Sequence, residues 1–504
     1  MHHVSATHGR RRARTAIVAL GSLTLLAVYP ASQAAPTRST SIALTGNGTR
    51  LVNVNHEADS VTLFDVKRGG RRLKKVAEIP VGQEPYCVAV DPRGGDIFVT
   101  NGADGTVSVI APGSRRVVRV IPVGTEPRGC ALTPDGERLF VANHTAGTVS
   151  IINTSSRRVI NTIDLRVGGS LFNPFAIAIT DRPGDNERVF VTDFYARLRL
   201  DATGREGFDD GKQGIVRSFR VNSPNNITTI PLSHIASGFT ADRTNFCAAT
   251  RPTAPPANET FCPGANINAD PQDVFPNQFF SALIRGNRLF LPNIGAQPEP
   301  PVRFDVNVQA LVHVVNTQNN QQVLNEHVNL NDQIDTEPVP ASPTTSLGRL
   351  FGNDIVAIDA TPNGGTFFIV SRGGNYVLRA TLQGGQLTIG APNTVRFKTG
   401  NIPTGIAVRG RFGYVNNEVG HSVSILDLNS NGNTIALNVS SSEPPKPGSH
   451  EHAVELGKLV FFTGLGVSDN GLVGQDLRAI DPLLFRGKQS NNAWSTCASC
   501  HPAG

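Results

Sequence analysis

In 504 residues there is one Trp, one Met and five Tyr, and aromatic side chains make up only 6% of the chain. Each scarcity removes something. The single Met is Met1, so no thioether remains to ligate a metal once a leader is lost. Few aromatics beside 50 Gly and 34 Pro argue against long helices and for many short strands joined by tight turns. The sequence shows no P-loop, nucleophile elbow or dinucleotide fingerprint, so the common signatures of nucleotide and acyl-transfer chemistry are missing.

Charge of one sign is also scarce. The formal charge is +6, but Arg10, Arg11, Arg12 and Arg14 are unbalanced by any acid in the first 34 residues, so the rest of the chain carries +6 − 4 = +2. No basic excess is left to attract nucleic acid. Those arginines precede an apolar run from Ala16 to Val28, then Pro30 and the small-residue stretch Ser32-Gln33-Ala34. This order predicts a secretory signal peptide over residues 1–34, too short to anchor as a membrane span and cleaved after Ala34.

Past the leader, the chain repeats itself at a period of about forty residues. Glu84-Pro85-Tyr86-Cys87-Val88-Ala89-Val90-Asp91-Pro92 recurs as Glu126-Pro127-Arg128-Gly129-Cys130-Ala131-Leu132-Thr133-Pro134. Ile97-Phe98-Val99-Thr100-Asn101 precedes Thr106-Val107-Ser108-Val109-Ile110, and Leu139-Phe140-Val141-Ala142-Asn143 precedes Thr148-Val149-Ser150-Ile151-Ile152. From Asn101 to Val107 is six residues, as from Asn143 to Val149, Asn55 to Val61 and Asn417 to Val423. These residues resemble the YVTN family of β-propeller repeats. The resemblance implies four-stranded antiparallel units that cannot bury both faces alone and so stack radially.

Closing strands are expected at Val76 to Val81, Val118 to Val123, Val159 to Leu165, Ile227 to Leu232, Val323 to Leu330, Val395 to Lys398 and Thr434 to Val439. Seven of them predict an all-β, seven-bladed β-propeller over residues 40–440. Long insertions at 196–213, 235–277, 295–309 and 331–352 fall in second-to-third-strand loops or between blades. Antiparallel topology puts all four on one face, from which the C-terminal segment also departs.

That segment ends in Cys497-Ala498-Ser499-Cys500-His501. Cys-x-x-Cys-His is the attachment motif of a c-type haem: two thiols add to the porphyrin vinyl groups and the adjacent imidazole reaches the iron. One covalent haem c is expected, held by Cys497 and Cys500 with His501 as axial ligand. Such attachment needs reduced thiols in an unfolded exported chain, which favours the general secretory route into a bacterial periplasm, with secretion to the surface second.

Residues 441–449 read as a Ser/Pro-rich linker, and His450 to Phe462 has the apolar spacing of a short amphipathic helix. Leu456-Gly457-Lys458-Leu459-Val460-Phe461-Phe462 together with Thr496 to Pro502 resembles the start of the bacterial dihaem cytochrome c peroxidase family. The resemblance covers about fifty residues. Gly457 and Cys497 are forty residues apart, longer than that family implies, and there is no second Cys-x-x-Cys-His, so peroxidase activity is not implied. The expectation for 450–504 is a short, mostly helical, incomplete cytochrome c segment that continues beyond Gly504. Otherwise the iron is five-coordinate or takes His450 or His452 as sixth ligand, unless these two are an exposed pair at a helix start. Trp494 is expected to pack on the porphyrin edge.

Cys247 and Cys262, inside a proline-rich insertion, are expected to form a disulfide in an oxidising compartment. Cys87 and Cys130 lie one residue out of register on neighbouring inner strands and form either a bridge or two buried free thiols. His56, His144 and His421 fall in loops of one face, where turn capping competes with metal binding. The chain thus reads as an exported c-type haem protein in periplasmic electron transfer, with a donor or acceptor protein as partner. Two rivals remain: a haem oxidoreductase with a small-molecule substrate on the insertion-bearing face, and a propeller binding module with peripheral haem. Neither a nucleic-acid partner nor a transmembrane anchor is expected.

Overall fold

Short strands joined by turns, the inner ones buried on both faces, pair with their chain neighbours in the computed structural model. The structure describes residues 1–2, 36–181, 187–201, 206–241, 270–298, 307–467, 472 and 474–501. The signal-peptide assignment, apart from its first two residues, and the Cys247–Cys262 pairing lie outside them. Pro85–Val90, Ile97–Asn101, Thr106–Ile110 and Val117–Pro122 form a four-stranded antiparallel sheet in chain order. Seven sheets built on this plan follow one another, and the inner strand of the seventh packs against that of the first. The fold is an all-β propeller.

Its closure is apolar. Ile42, Leu51 and Phe64 of the first sheet share a buried cluster with Ala407, Tyr414 and Val423 of the seventh, and the Tyr414 hydroxyl donates to the Gly70 carbonyl at 2.9 Å. An aromatic ring recurs at one position of the second strand: Phe98, Phe140, Phe190, Phe290, Phe368 and Tyr414 are all buried between sheets. Rings at that position fill the gap between twisted sheets and bury more apolar surface per residue than any aliphatic could.

The repeated Asn has an equally local cause. Side chains two apart share one strand face, so an Asn ending the second strand meets the hydroxyls five and seven residues on. Asn101 donates to Thr106 and Ser108, Asn143 to Thr148 and Ser150, and Asn417 to Ser422 and Ser424, all at 2.9 to 3.1 Å. The Asn143 Oδ1 accepts the Gly124 amide at 3.2 Å. A Cβ on Gly124 would stand 2.6 Å from the Asn143 carboxamide carbon, which explains the glycine ending the closing strand.

Several boundaries differ from expectation. The closing strand of the fifth sheet is split into Gln321–Gln322 and Val328–Asn329 by a 3-10 turn at Leu324–Glu326, and that of the sixth into Gln386–Thr388 and Arg396–Lys398. Segment 235–277 is not wholly an insertion, since Ile235–Ala241 and Asp270–Asn277 pair within the fifth sheet. Residues before 40 also belong to the propeller: Thr37–Arg38 pairs with the inner strand of the fourth sheet. The next residues take the Val88 amide onto Thr40 and the Val54 amide onto Ser41, so this segment fills the axis.

Three α-helices matter below: α1 (Leu330–Asp335), α2 (His450–Phe462) and α3 (Cys497–Cys500). A mostly helical segment over 450–504 is not borne out: among the described residues between α2 and α3 the chain forms turns and two short 3-10 pieces. Nor does it stand apart, as residues 35–504 form one compact unit. The expected linker is pinned at its start, where Ser441 and Ser442 are buried. No helix among the described residues is long and apolar enough to cross a membrane.

Candidate functional site at the C-terminal Cys-x-x-Cys-His turn

Helix α3 is one turn long, and its orientation follows from its composition. Thr496 caps it reciprocally with Ser499: each side chain takes the other's backbone amide, at 3.2 and 3.1 Å. Residues three and four apart share a helix face, which places Cys497, Cys500 and His501 together and leaves Ala498 and Ser499 opposite. Ala498 and Ser499 are buried, and the Ser499 hydroxyl donates to the Asn353 carboxamide oxygen at 3.0 Å while its carbonyl accepts from Gln278 Nε2 at 3.1 Å. Cys497 and Cys500 are free thiols in contact with solvent, and His501 is exposed.

Burial, and then the neighbouring Cys497, push the Cys500 thiol above its usual range. In contrast, Cys87 and Cys130 are paired as a disulfide across the second and third sheets, with Cα atoms 5.9 Å apart. The donor set of α3 suits covalent haem: two unpaired thiols one turn apart and an imidazole on the same side. Cys497 and Cys500 would hold the macrocycle and His501 its iron.

What positions this turn is the preceding tail. Trp494 does not wait for a porphyrin edge: it is buried, its ring centre 3.7 Å from that of Phe351 and 5.1 Å from that of Phe239, and its Nε1 donates to the Val308 carbonyl at 2.9 Å. The three partners come from the segments that departed from the repeat. Arg486 donates to the carbonyls of Ser346 and Gly348, both at 2.9 Å, tying a further stretch of one such segment to the tail. Asn353 and Gln278, which hold Ser499, carried no motif; their place in or beside these irregular segments was the one signal.

His450 and His452 lie at the far end of α2 from α3. The Gly464 amide, just past the end of α2, donates to Gly373, whose Cβ position is in contact range of Thr496. Twelve residues of helix separate His450 from Phe462, about 18 Å at 1.5 Å per residue. His452 is buried and its Nε2 donates to the Gln475 carbonyl at 2.8 Å.

The histidines of the loops are committed to protein partners. His56 Nδ1 meets the Pro85 carbonyl at 3.0 Å and His144 Nδ1 that of Pro174 at 3.3 Å, linking each sheet to the next. His56 also stands near Glu57 and Glu418, close enough for the three to share a cation, and Lys458 of α2 already pairs with Glu57. Beside this cluster an axial cavity of about 530 Å³ opens on the face that α2 partly roofs. Residues of all seven sheets and α2 meet there, so both kinds of loop emerge on one face.

Fold and site define an all-β propeller with a Cys-x-x-Cys-His turn packed against its irregular segments. The family model described as "Lactonase, 7-bladed beta-propeller" matches residues 12–116. Hydrazine synthase from Kuenenia stuttgartiensis is similar in structure, with a TM-score of 0.52 and 15% identity over 77% of this chain and 94% of that one. A dihydro-haem d1 dehydrogenase, NirN, aligns over 77% of this chain and 73% of that chain at 12% identity and a TM-score of 0.41. A functionally unknown protein from Desulfotomaculum acetoxidans gives 11% identity and 0.44 over 82% and 100%. The likeness to hydrazine synthase carries the fold alone. No curated protein matches the sequence.

Proposed function

We propose that the chain is an exported c-type haem protein of periplasmic electron transfer, in which a seven-bladed propeller presents the haem segment to a redox partner. The observation that carries this reading is the state of α3: Cys497 and Cys500 are free and exposed on one helical turn with His501 beside them, while Cys87 and Cys130 are bridged. A bound haem supplies one-electron redox chemistry; the chain supplies covalent hold, an axial imidazole and a fixed orientation. Buried Ala498, Ser499 and Trp494 anchor the turn, so the thiols and imidazole face outward where a second protein can approach.

The second reading, a haem oxidoreductase, is favoured by the axial cavity on the same face. To test the first, the full chain is produced in a bacterial host with c-type haem maturation. One haem should stay with the polypeptide after denaturation, seen by absorbance and intact mass, and C497A/C500A should lose it while melting unchanged. Absence of covalent haem in the unaltered protein would overturn the proposal.

A further inference from the structure

The axial cavity has no part in haem attachment, yet its walls are built. Phe175 and Phe194 stack with centres 4.6 Å apart, and Phe280 meets them edge-on at 5.5 and 5.0 Å, a rigid aromatic surface. Arg372 faces that surface with its guanidinium 4.9 Å from the centre of Phe280 and 4.2 Å from that of Phe462. Its Nε donates to Asp354 at 2.5 Å, whereas its buried Nη2 has no hydrogen-bond partner among the described residues.

Most charges of the lining, Arg372 with Asp354 included, are paired. Arg128 lies over Tyr86 and donates to Glu126 at 2.6 and 3.0 Å. Lys458 pairs with Glu57, and Glu418 stands close to Glu57 and His56. Glu84 is exposed at the rim. A guanidinium that lines the cavity between two aromatic faces is a suitable partner for a planar anion, because a hydrogen bond to a charged group is worth more than one to a neutral group. A cavity of about 530 Å³ is of small-molecule size.

We propose that this cavity is a second binding site, for a small aromatic carboxylate whose ring lies on the phenylalanine wall and whose carboxylate accepts from Arg372. It does not rest on haem. The test is calorimetric titration of the full-length protein with benzoate, benzyl alcohol and benzylamine. Benzoate should bind more tightly than benzyl alcohol by about tenfold or more, the worth of one charged hydrogen bond, and benzylamine least. Protein with C497A and C500A should bind benzoate equally well.

In R372Q the preference for benzoate over benzyl alcohol should vanish. Should that variant not fold, F461A, at the roof of the cavity, takes its place and should weaken benzoate and benzyl alcohol together. Three results would overturn the site: no saturable benzoate binding, equal affinity for benzoate and benzyl alcohol in the unaltered protein, or a preference for benzylamine.

Discussion

The Oε2 of Glu455, on α2, lies 2.7 Å from the Nε2 of His421, in a loop of the seventh sheet, and the two side chains are only 6% and 2% exposed. His421 Nδ1 in turn meets the Ser442 hydroxyl at 2.8 Å. One loop of the propeller thus grips the tail twice. Leu459 packs beside it with Ile402 and Val419, so the polar contact sits at the edge of an apolar one.

Removing one partner of a buried ionic or hydrogen-bonded pair leaves the other unsatisfied, at about 3–5 kcal/mol. E455A should therefore loosen α2 and speed amide exchange from 450 to 501 while the outer strands keep their protection. E455Q, which keeps a hydrogen bond to His421, should be milder. Unchanged exchange in E455A would show that Leu459 and its neighbours hold the tail alone.

Asn143 makes its three side-chain bonds in a site closed to water. N143A strands the Gly124 amide and two hydroxyls, with a loss of about 1–3 kcal/mol for each group that finds no new partner. N143D keeps the acceptor but cannot donate, and should be destabilised too. Urea unfolding midpoints read both; an N143A protein as stable as the parent would mean that the recurring Asn is not structural.

A pair of buried imidazoles sets an acid limit. Burial pushes His327 down to about 4, and His313, whose ring centre lies 4.4 Å away, is also held well below its ordinary value by burial and then by His327. In the unfolded chain each titrates near 6.5, so between pH 6.5 and 4 the unfolded state binds more protons than the folded one. Stability should be full above that window and fall as the pH drops through it, by about 3 kcal/mol for His327 alone. Unfolding midpoints measured from pH 7 to 4.5 should show the slope, and H327L should flatten it; a flat profile in the parent would refute the assignment.

The first, second, third and seventh sheets were legible because their hydrogen bonds are local. The Asn and its hydroxyl partners lie within seven residues, so their spacing survives in the sequence. In the fourth sheet Asp193 takes the Asn place and pairs with Arg197, and in the sixth Ser371 does so and bonds Asn353. Different partners erase the motif while the strands remain. The breaks in the fifth and sixth closing strands were hidden for the same reason, since alternation alone does not mark a 3-10 turn.

Short-range chemistry encodes the repeat, the strand ends, and a Cys-x-x-Cys-His turn whose helical spacing puts two thiols and an imidazole on one side, and all of these are read from the residues alone. The remaining features come from groups far apart in the chain that only folding brings together. Cys87 and Cys130, forty-three residues apart, meet because neighbouring inner strands are laid side by side. Trp494 goes inward because Phe239, Val308 and Phe351 offer a cage and a carbonyl there. The axial cavity exists only once loops from most of the ring converge, and no local pattern records that closure.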